Sequence, residues 1–341
     1  MVNEHDLIQR VFAPVAGADD AALNLEDDAA VINAGDQKLV ITKDAMVAGV
    51  HFFHDDAPDI VAKKLLRCNV SDLAAMGATP CYYLIALIAP DHTNQQWIES
   101  FYSTLALEQK HFNMTLLGGD TVSHQGALTL SLTAIGEIKA PKQPLLRSGA
   151  AVGDSVFVSG TIGDSYLGLQ LRLKNIALKE QTEHSHYLTK RYNIPEPRVH
   201  LGSALSAIAT SCMDVSDGLV QDVQRIVEAS NNKPGSKSSL SVTINIDSVP
   251  FSKAAKQLLS EGNVTEMDLI TGGDDYELLF TATLNDTELQ ELEAKTNTRI
   301  TRIGTVTDRN ENDKNLKLIQ NHMETDFDNE KIGYQHRFTK S

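Results

Sequence analysis

In six segments of this chain an aspartate stands where an apolar run stops, in five of them next to glycine, serine or a second aspartate. LEDDAAVI, ITKDAMVAGVHF, NVSDLAAMGA, LLGGDT, DVSDGL and TGGDDYELLF carry Asp27 and Asp28, Asp44, Asp72, Asp120, Asp214 and Asp217, and Asp274 and Asp275. An uncompensated carboxylate is too costly to leave inside a core, so these positions belong at the ends of strands and helices, around a cleft. Short-stemmed carboxylates held there gather hard divalent cations, and Mg2+ in particular prefers oxygen ligands and keeps part of its water shell. The pattern predicts metal-assisted phosphate chemistry.

Charge points the same way. The 341 residues include 45 acidic and 30 basic side chains, a formal charge of −15, which repels nucleic acid and anionic membrane. Phosphorylated ligands remain open to such a chain if bound metal supplies the positive charge. Cys68, Cys81 and Cys212 are widely spaced with no C-x-x-C pair, so neither a disulfide framework nor a structural zinc site is expected. MVNEHDLIQRVFAP has no apolar signal core, and no run reaches membrane-spanning length; the expectation is a cytoplasmic chain.

The length exceeds the roughly 250–300 residues at which one core stops growing, so two domains are expected. Strands are predicted at 39–42, 82–89 and 127–134, the last from alternation of Leu128, Leu130 and Leu132 with Thr129, Ser131 and Thr133. Between them, 59–76 and 95–112 carry helical stripes, giving a mixed α/β first half. The stretch KAPKQPLLRSGAAVGD, 139–154, is the predicted boundary, dividing the chain into 1–148 and 149–341. Beyond it come strands at 155–158, 242–246, 278–282 and a final one near 301–306, and helices around 166–173 and 219–229. NNKPGSKSS, 231–239, reads as a loop. DRNENDKNLKLI, 308–319, lacks the Gly and Glu of a calcium loop and reads as a polar hairpin.

Each motif has a functional and a plain reading. In LLGGDT the glycines let the backbone bend and approach a ligand while Asp120 is presented at a strand end; the plain reading is a turn. Asp72 in NVSDLAAMGA is either a cation ligand or, with Ser71, a helix cap. DVSDGL sets Asp214, Ser216 and Asp217 before a helix, as metal and phosphate ligands or as caps. His51 is a candidate phosphate contact and His54 a surface residue. Arg147 is a phosphate fork or an interdomain salt bridge. An internal echo pairs NVSD and GGD, 69–72 and 118–120, with DVSD and GGDD, 214–217 and 272–275; read as a duplication it puts the site between the halves, and read as coincidence it places nothing. No P-loop, G-x-S-x-G elbow or kinase H-R-D loop is present.

Taken in order, DDAAVI, ITKDAMVAGVHF, NVSDLAAMGA, LLGGDT, RSGAAVGD, VSGTIGDS, PEPRVHLG, DVSDGL and GGDDYELLF resemble the thiamine-monophosphate kinase family, from residue 25 to about 282. The resemblance implies the two-domain α/β fold shared with aminoimidazole ribonucleotide synthetase and selenophosphate synthetase, with the N-terminal domain pairing across a homodimer. It implies metal ligation by Asp28, Thr42, Lys43 through its backbone, Asp44, Asp72, Asp120, Asp214 and Asp217. ATP contacts would come from Tyr102, Gly119, Asp120, Arg147 and Ser216, and thiamine monophosphate contacts from His51, Asp274 and a C-terminal aromatic, Phe327 or Tyr334. The sequence departs from the family pattern in three places. Glu26 stands where Gly usually precedes the DD pair, Lys43 replaces a usual hydroxyl residue with an ammonium expected to reach solvent or Glu26, and Lys331 or Ile332 falls near the aromatic position.

The implied activity is ATP-dependent phosphorylation of thiamine monophosphate to thiamine diphosphate. Two highly charged phosphates must be brought together, so neutralisation by several Mg2+ ions, with Asp72 and Asp120 central, matters more than acid–base help; the attacking oxygen is already anionic. Alternatives are another ATP-dependent synthetase of the same superfamily, or a non-catalytic nucleotide- or divalent-ion-binding protein.

Overall fold

The computed structural model describes residues 2–3, 8–16, 20–176, 183–233, 239–309, 314–327, 333 and 337–338. A first sheet is built from Ala30–Ala34 (β1), Gln37–Val47 (β2), Thr79–Pro90 (β3), Thr115–His124 (β4) and Thr129–Lys139 (β5). Its order is β1-β2-β5-β3-β4, antiparallel except for the parallel β3–β4 pair. Alternation in β5 buries Leu130, Leu132, Ala134 and Ile138 on one face. The helix Pro58–Ala75 (α1) covers that face, opening with Pro at its first turn, where the missing N–H is harmless, and burying Val61, Leu65, Leu66 and Leu73. The helix Gln95–His111 (α2) packs beside it, capped by the Asn94 side chain on the Trp97 N–H. Among the described residues the opposite face is uncovered, with Tyr82, Leu84, Leu117 and Val122 exposed.

A second sheet starts after the connecting stretch 140–154. It uses Ser155–Ser159 (β6), Ser211–Asp214 (β7), Leu240–Asn245 (β8), Leu278–Ala282 (β9), Ile300–Asp308 (β10), Leu316–Gln320 (β11) and Met323–Thr325 (β12), ordered β12-β11-β8-β10-β6-β9-β7. Strands β6 and β9, and the edge strand β7 beside them, are buried nearly throughout because helices cover both faces. Val156, Val158, Met213 and Leu279 face one core, with the helices Asp164–Arg172 (α3) and Leu219–Asn232 (α6). Phe157, Cys212 and Phe280 face the other, with Val199–Leu205 (α5) and Asp286–Thr296 (α9). Glu183–Asn193 (α4), Lys253–Ser260 (α7) and Glu266–Thr271 (α8) complete the layer around α3 and α6.

Helix α1 joins the two units. Gly202 of α5 lies so close that a Cβ there would sit 1.9 Å from the Ala74 carbonyl oxygen, an approach only glycine permits. Arg67 of α1 donates to the Pro195 carbonyl at 3.0 Å and pairs with Glu108 of α2.

Three expectations are corrected. The segment 308–319 is no hairpin: β10 and β11 both pair with β8, which lies between them. Nor does the chain's last strand end near 306, since β11 and β12 follow. The GGD motif lies inside β4, whose ladder runs on to His124, because Gly118 takes up a shift in register and Gly119 lets the strand pass close against β3 instead of ending it. Residues 234–238 of the expected loop and 310–313 lie outside the described residues.

Candidate active site

Asp28, Asp72 and Asp214 each offer a carboxylate oxygen, and all three atoms lie within 4.8 Å of one another. They arrive from three directions: the turn before β1, the last turns of α1 and the end of β7. Thr42 of β2 donates its hydroxyl to Asp72 Oδ2 at 2.6 Å, and Ser71 donates to Asp214 Oδ2 at 2.5 Å. The two Ser-Asp motifs of the sequence echo therefore touch. Arg147 holds the third carboxylate through Nε at 3.1 Å and Nη2, while its backbone N–H bonds Asp27 Oδ1 at 2.6 Å. Burial disfavours the guanidinium's charge, but Asp28, with Asp222 and Asp27 behind it, keeps the pKa above its ordinary value.

The electrostatics are those of a site made for a cation. Burial pushes Asp72 well above the usual carboxylate range, and Asp44, Asp214 and Asp28 push it further. Asp214 is raised by burial and then by Asp28, and Asp27 by burial to about 6. Asp28 Oδ2 is buried and has no hydrogen-bond partner among the described residues. Buried polar atoms are almost always partnered, and three hard oxygen donors with one lone-pair set unsatisfied fit Mg2+.

Beside this group lies a cavity of about 610 Å³ whose wall includes His51, Lys64, Tyr166, Tyr192, Ser216, Asp217, Asp274, Tyr276 and Phe327. His51 Nδ1 accepts the Val47 N–H at 3.0 Å, which turns the chain after β2 into the cavity. Asp274 is held at φ +69° with its N–H on the Ser216 carbonyl at 2.8 Å. Ser216, Asp217 and Gly218 give their N–H groups to Asp222 Oδ2, and Asp217 pairs with Arg225 at 2.5 Å.

The remaining sequence candidates are not among the three clustered carboxylates. Asp44 sits on β2 in the Asp72 field. Lys43 is exposed and its Nζ reaches Thr133 Oγ1 of β5 at 3.5 Å, away from Glu26. Gly119 and Asp120 are on β4, where Asp120 Oδ1 accepts the Thr121 N–H at 2.9 Å. The sheet order puts β4 three strands from β2, about 14 Å away. Tyr102 of α2 packs edge-on against Phe101. Tyr334 lies outside the described residues, whereas Phe327 lines the cavity. Lys64 went unrecognised in the sequence. Its signal was there: Lys64, Cys68, Ser71 and Asp72 recur at the spacing of one helix face.

Comparison with known proteins decides the family. The profile described as "AIR synthase related protein, N-terminal domain" matches residues 26–138. A thiamine-monophosphate kinase of Caulobacter vibrioides is 41% identical over 284 residues, covering 81% of this chain and 76% of the relative. The chain belongs to the thiamine-monophosphate kinase family. The Bacillus subtilis member is 34% identical over 340 residues, covering 98% of this chain and 99% of its own. Family resemblance extends to the fold: a structure described as AaThiL complexed with AMPPCP and TMP superposes with a TM-score of 0.81 at 27% identity, covering 98% and 97% of the two chains. Membership thus spans both sheets, including the second unit beyond the profile match.

Proposed function

We infer that this enzyme is a kinase that transfers the terminal phosphoryl group of ATP to thiamine monophosphate, giving thiamine diphosphate. The observation that carries the reading is the Asp28–Asp72–Asp214 group, with one buried oxygen unpartnered, set against a large, partly apolar cavity. It supports Mg2+ as the resident cation, which would neutralise phosphate charge there. Thr42, Ser71 and Arg147 orient the three carboxylates; Asp44, Asp217 and the Lys43 carbonyl are the further candidates for additional ions. Tyr166, Tyr192, Tyr276 and Phe327 give the cavity walls suited to a heteroaromatic acceptor, with His51 and Asp274 at its polar edge. Gly119, Asp120, Tyr102 and Ser216 are assigned to the nucleotide. No general base is needed, because a phosphate oxygen is already an anionic nucleophile.

The same reading treats 1–148 and 149–341 as two domains with the site in their seam, and places the enzyme in the cytoplasm. It also makes the chain a homodimer through the open face and free edge of the first sheet, where Tyr82, Leu84, Leu117 and Val122 are exposed. Incubating the protein with ATP, Mg2+ and thiamine monophosphate tests the central claim by formation of thiamine diphosphate; ATP binding without product would favour a binding protein instead.

A further inference from the structure

Lys64 is the one cation whose ammonium is sealed into the cavity wall among the described residues: its side chain is 3% exposed, against 35% for its partner Asp274. Its Nζ donates to Asp274 Oδ2 at 3.1 Å and to the His51 carbonyl at 3.1 Å, and it lies 3.6 Å from the centre of the Tyr192 ring. An ammonium has three N–H donors. Two carboxylate or carbonyl partners and an aromatic face account for them, so Lys64 is spent on the protein itself and is no ligand for a phosphate. What it joins is informative: His51 follows β2, Tyr192 ends α4, and Asp274 stands in a strained loop 210 residues along the chain. The Tyr192 hydroxyl also reaches the His51 carbonyl at 3.4 Å.

The charge consequence is sharper than the geometric one. Without Lys64, Asp274 would keep the Tyr276 hydroxyl at 3.4 Å but present an unneutralised carboxylate to the cavity, which attracts a cationic ring and repels a phosphate dianion. With Lys64 beside it the wall is locally neutral, yet Asp274 keeps enough exposure to meet a cation. We propose that Lys64 is a specificity-determining positioning residue: by fixing and neutralising Asp274 it lets one cavity accept a molecule carrying both a heteroaromatic cation and a phosphate, and removing it converts the cavity into one that prefers the cation without the phosphate.

This rests on the acceptor being thiamine monophosphate, so wild-type turnover is measured first; absence of product there defeats the functional reading, and Lys64 is then irrelevant. Given wild-type turnover, Lys64→Met is expected to raise KM for thiamine monophosphate by tenfold or more and change KM for ATP by less than twofold. Inhibition by thiamine, which has the cation and lacks the phosphate, should strengthen or hold. Lys64→Met/Asp274→Asn, which removes both charges, should recover much of the affinity for thiamine monophosphate, and it carries the test alone if the single variant does not fold. A purely structural role predicts parallel weakening of ATP, thiamine and thiamine monophosphate, with the double variant no better than the single one; that result overturns the proposal.

Discussion

Replacing Asp72 by Asn separates the cost of the carboxylate group from its use. Its ligand oxygen lies within 4.8 Å of those of Asp28 and Asp214, and two full charges at that distance repel by about 3 kcal/mol at an effective dielectric of about 20. Asp72 faces two such partners. The metal-free protein escapes part of the repulsion by retaining protons, as the upward displacement of Asp72 and Asp214 implies, so the relief on neutralising one member is about 1–3 kcal/mol near pH 8. The Thr42 hydroxyl bond to this side chain survives, since the Asn carbonyl accepts it. With EDTA present, Asp72→Asn is therefore expected to melt above the wild type, by roughly 1–4 °C in a chain of this size. In saturating Mg2+ the order reverses, because binding at about 100 Kd stabilises the wild type by about 2.7 kcal/mol and the variant by far less. Turnover should fall by about a thousandfold or more, near 4 kcal/mol in barrier. Thermal melts in EDTA and in Mg2+, with product formation followed alongside, make the comparison. A variant less stable than wild type in EDTA, or one that gains as much from Mg2+, would refute the reasoning.

Arg147→Ala should destabilise by about 3 kcal/mol, because it strands the buried Asp28 carboxylate without its cation; denaturant melts read this directly, and Arg147→Lys should recover part of it. Gly119→Ala would put a Cβ 1.7 Å from the Ile85 carbonyl oxygen, so β4 must lift from β3; faster amide exchange across 115–124 is the expected signature, and unchanged exchange would contradict it. Asp275 is fully buried and burial raises its pKa from 3.8 to about 8. The folded chain keeps that proton between about pH 4 and 8 where the unfolded chain has released it, so stability declines as pH rises through this window. Asp275→Asn, shaped like the neutral acid, should flatten that decline in melts run from pH 5 to 8.

Much of the first sheet was readable because its strands alternate. β5 carries one buried face and one half-exposed face, and period two survives in the sequence. The second sheet was harder to read: β7 is four residues long and buried on both sides, leaving no alternation, and α4 shows only Leu188, Tyr192 and Asn193 to the interior. The parallel pairing of β11 with β8 is a long-range choice that no local pattern encodes. At the site, Asp28, Asp72 and Asp214 stood out because a charge amid apolar residues demands a partner. Lys64 did not, since a lysine beside a second lysine on an amphipathic helix looks like a solvated face, and only its depth against Tyr192 and Asp274 reveals otherwise.

Ser71 and Asp214, which meet at 2.5 Å, are 143 residues apart. A ribosome adding about 5–20 residues each second needs roughly 7–30 s to cover that span, so α1 exists long before its counterpart does. During that interval Asp72 has Asp28 and Asp44 in the chain already made, and the electrostatic conflict at the centre of the enzyme is incomplete. It is complete only when Asp214 docks, so a divalent cation meets its full set of three carboxylates only once the seam between the two sheets has closed.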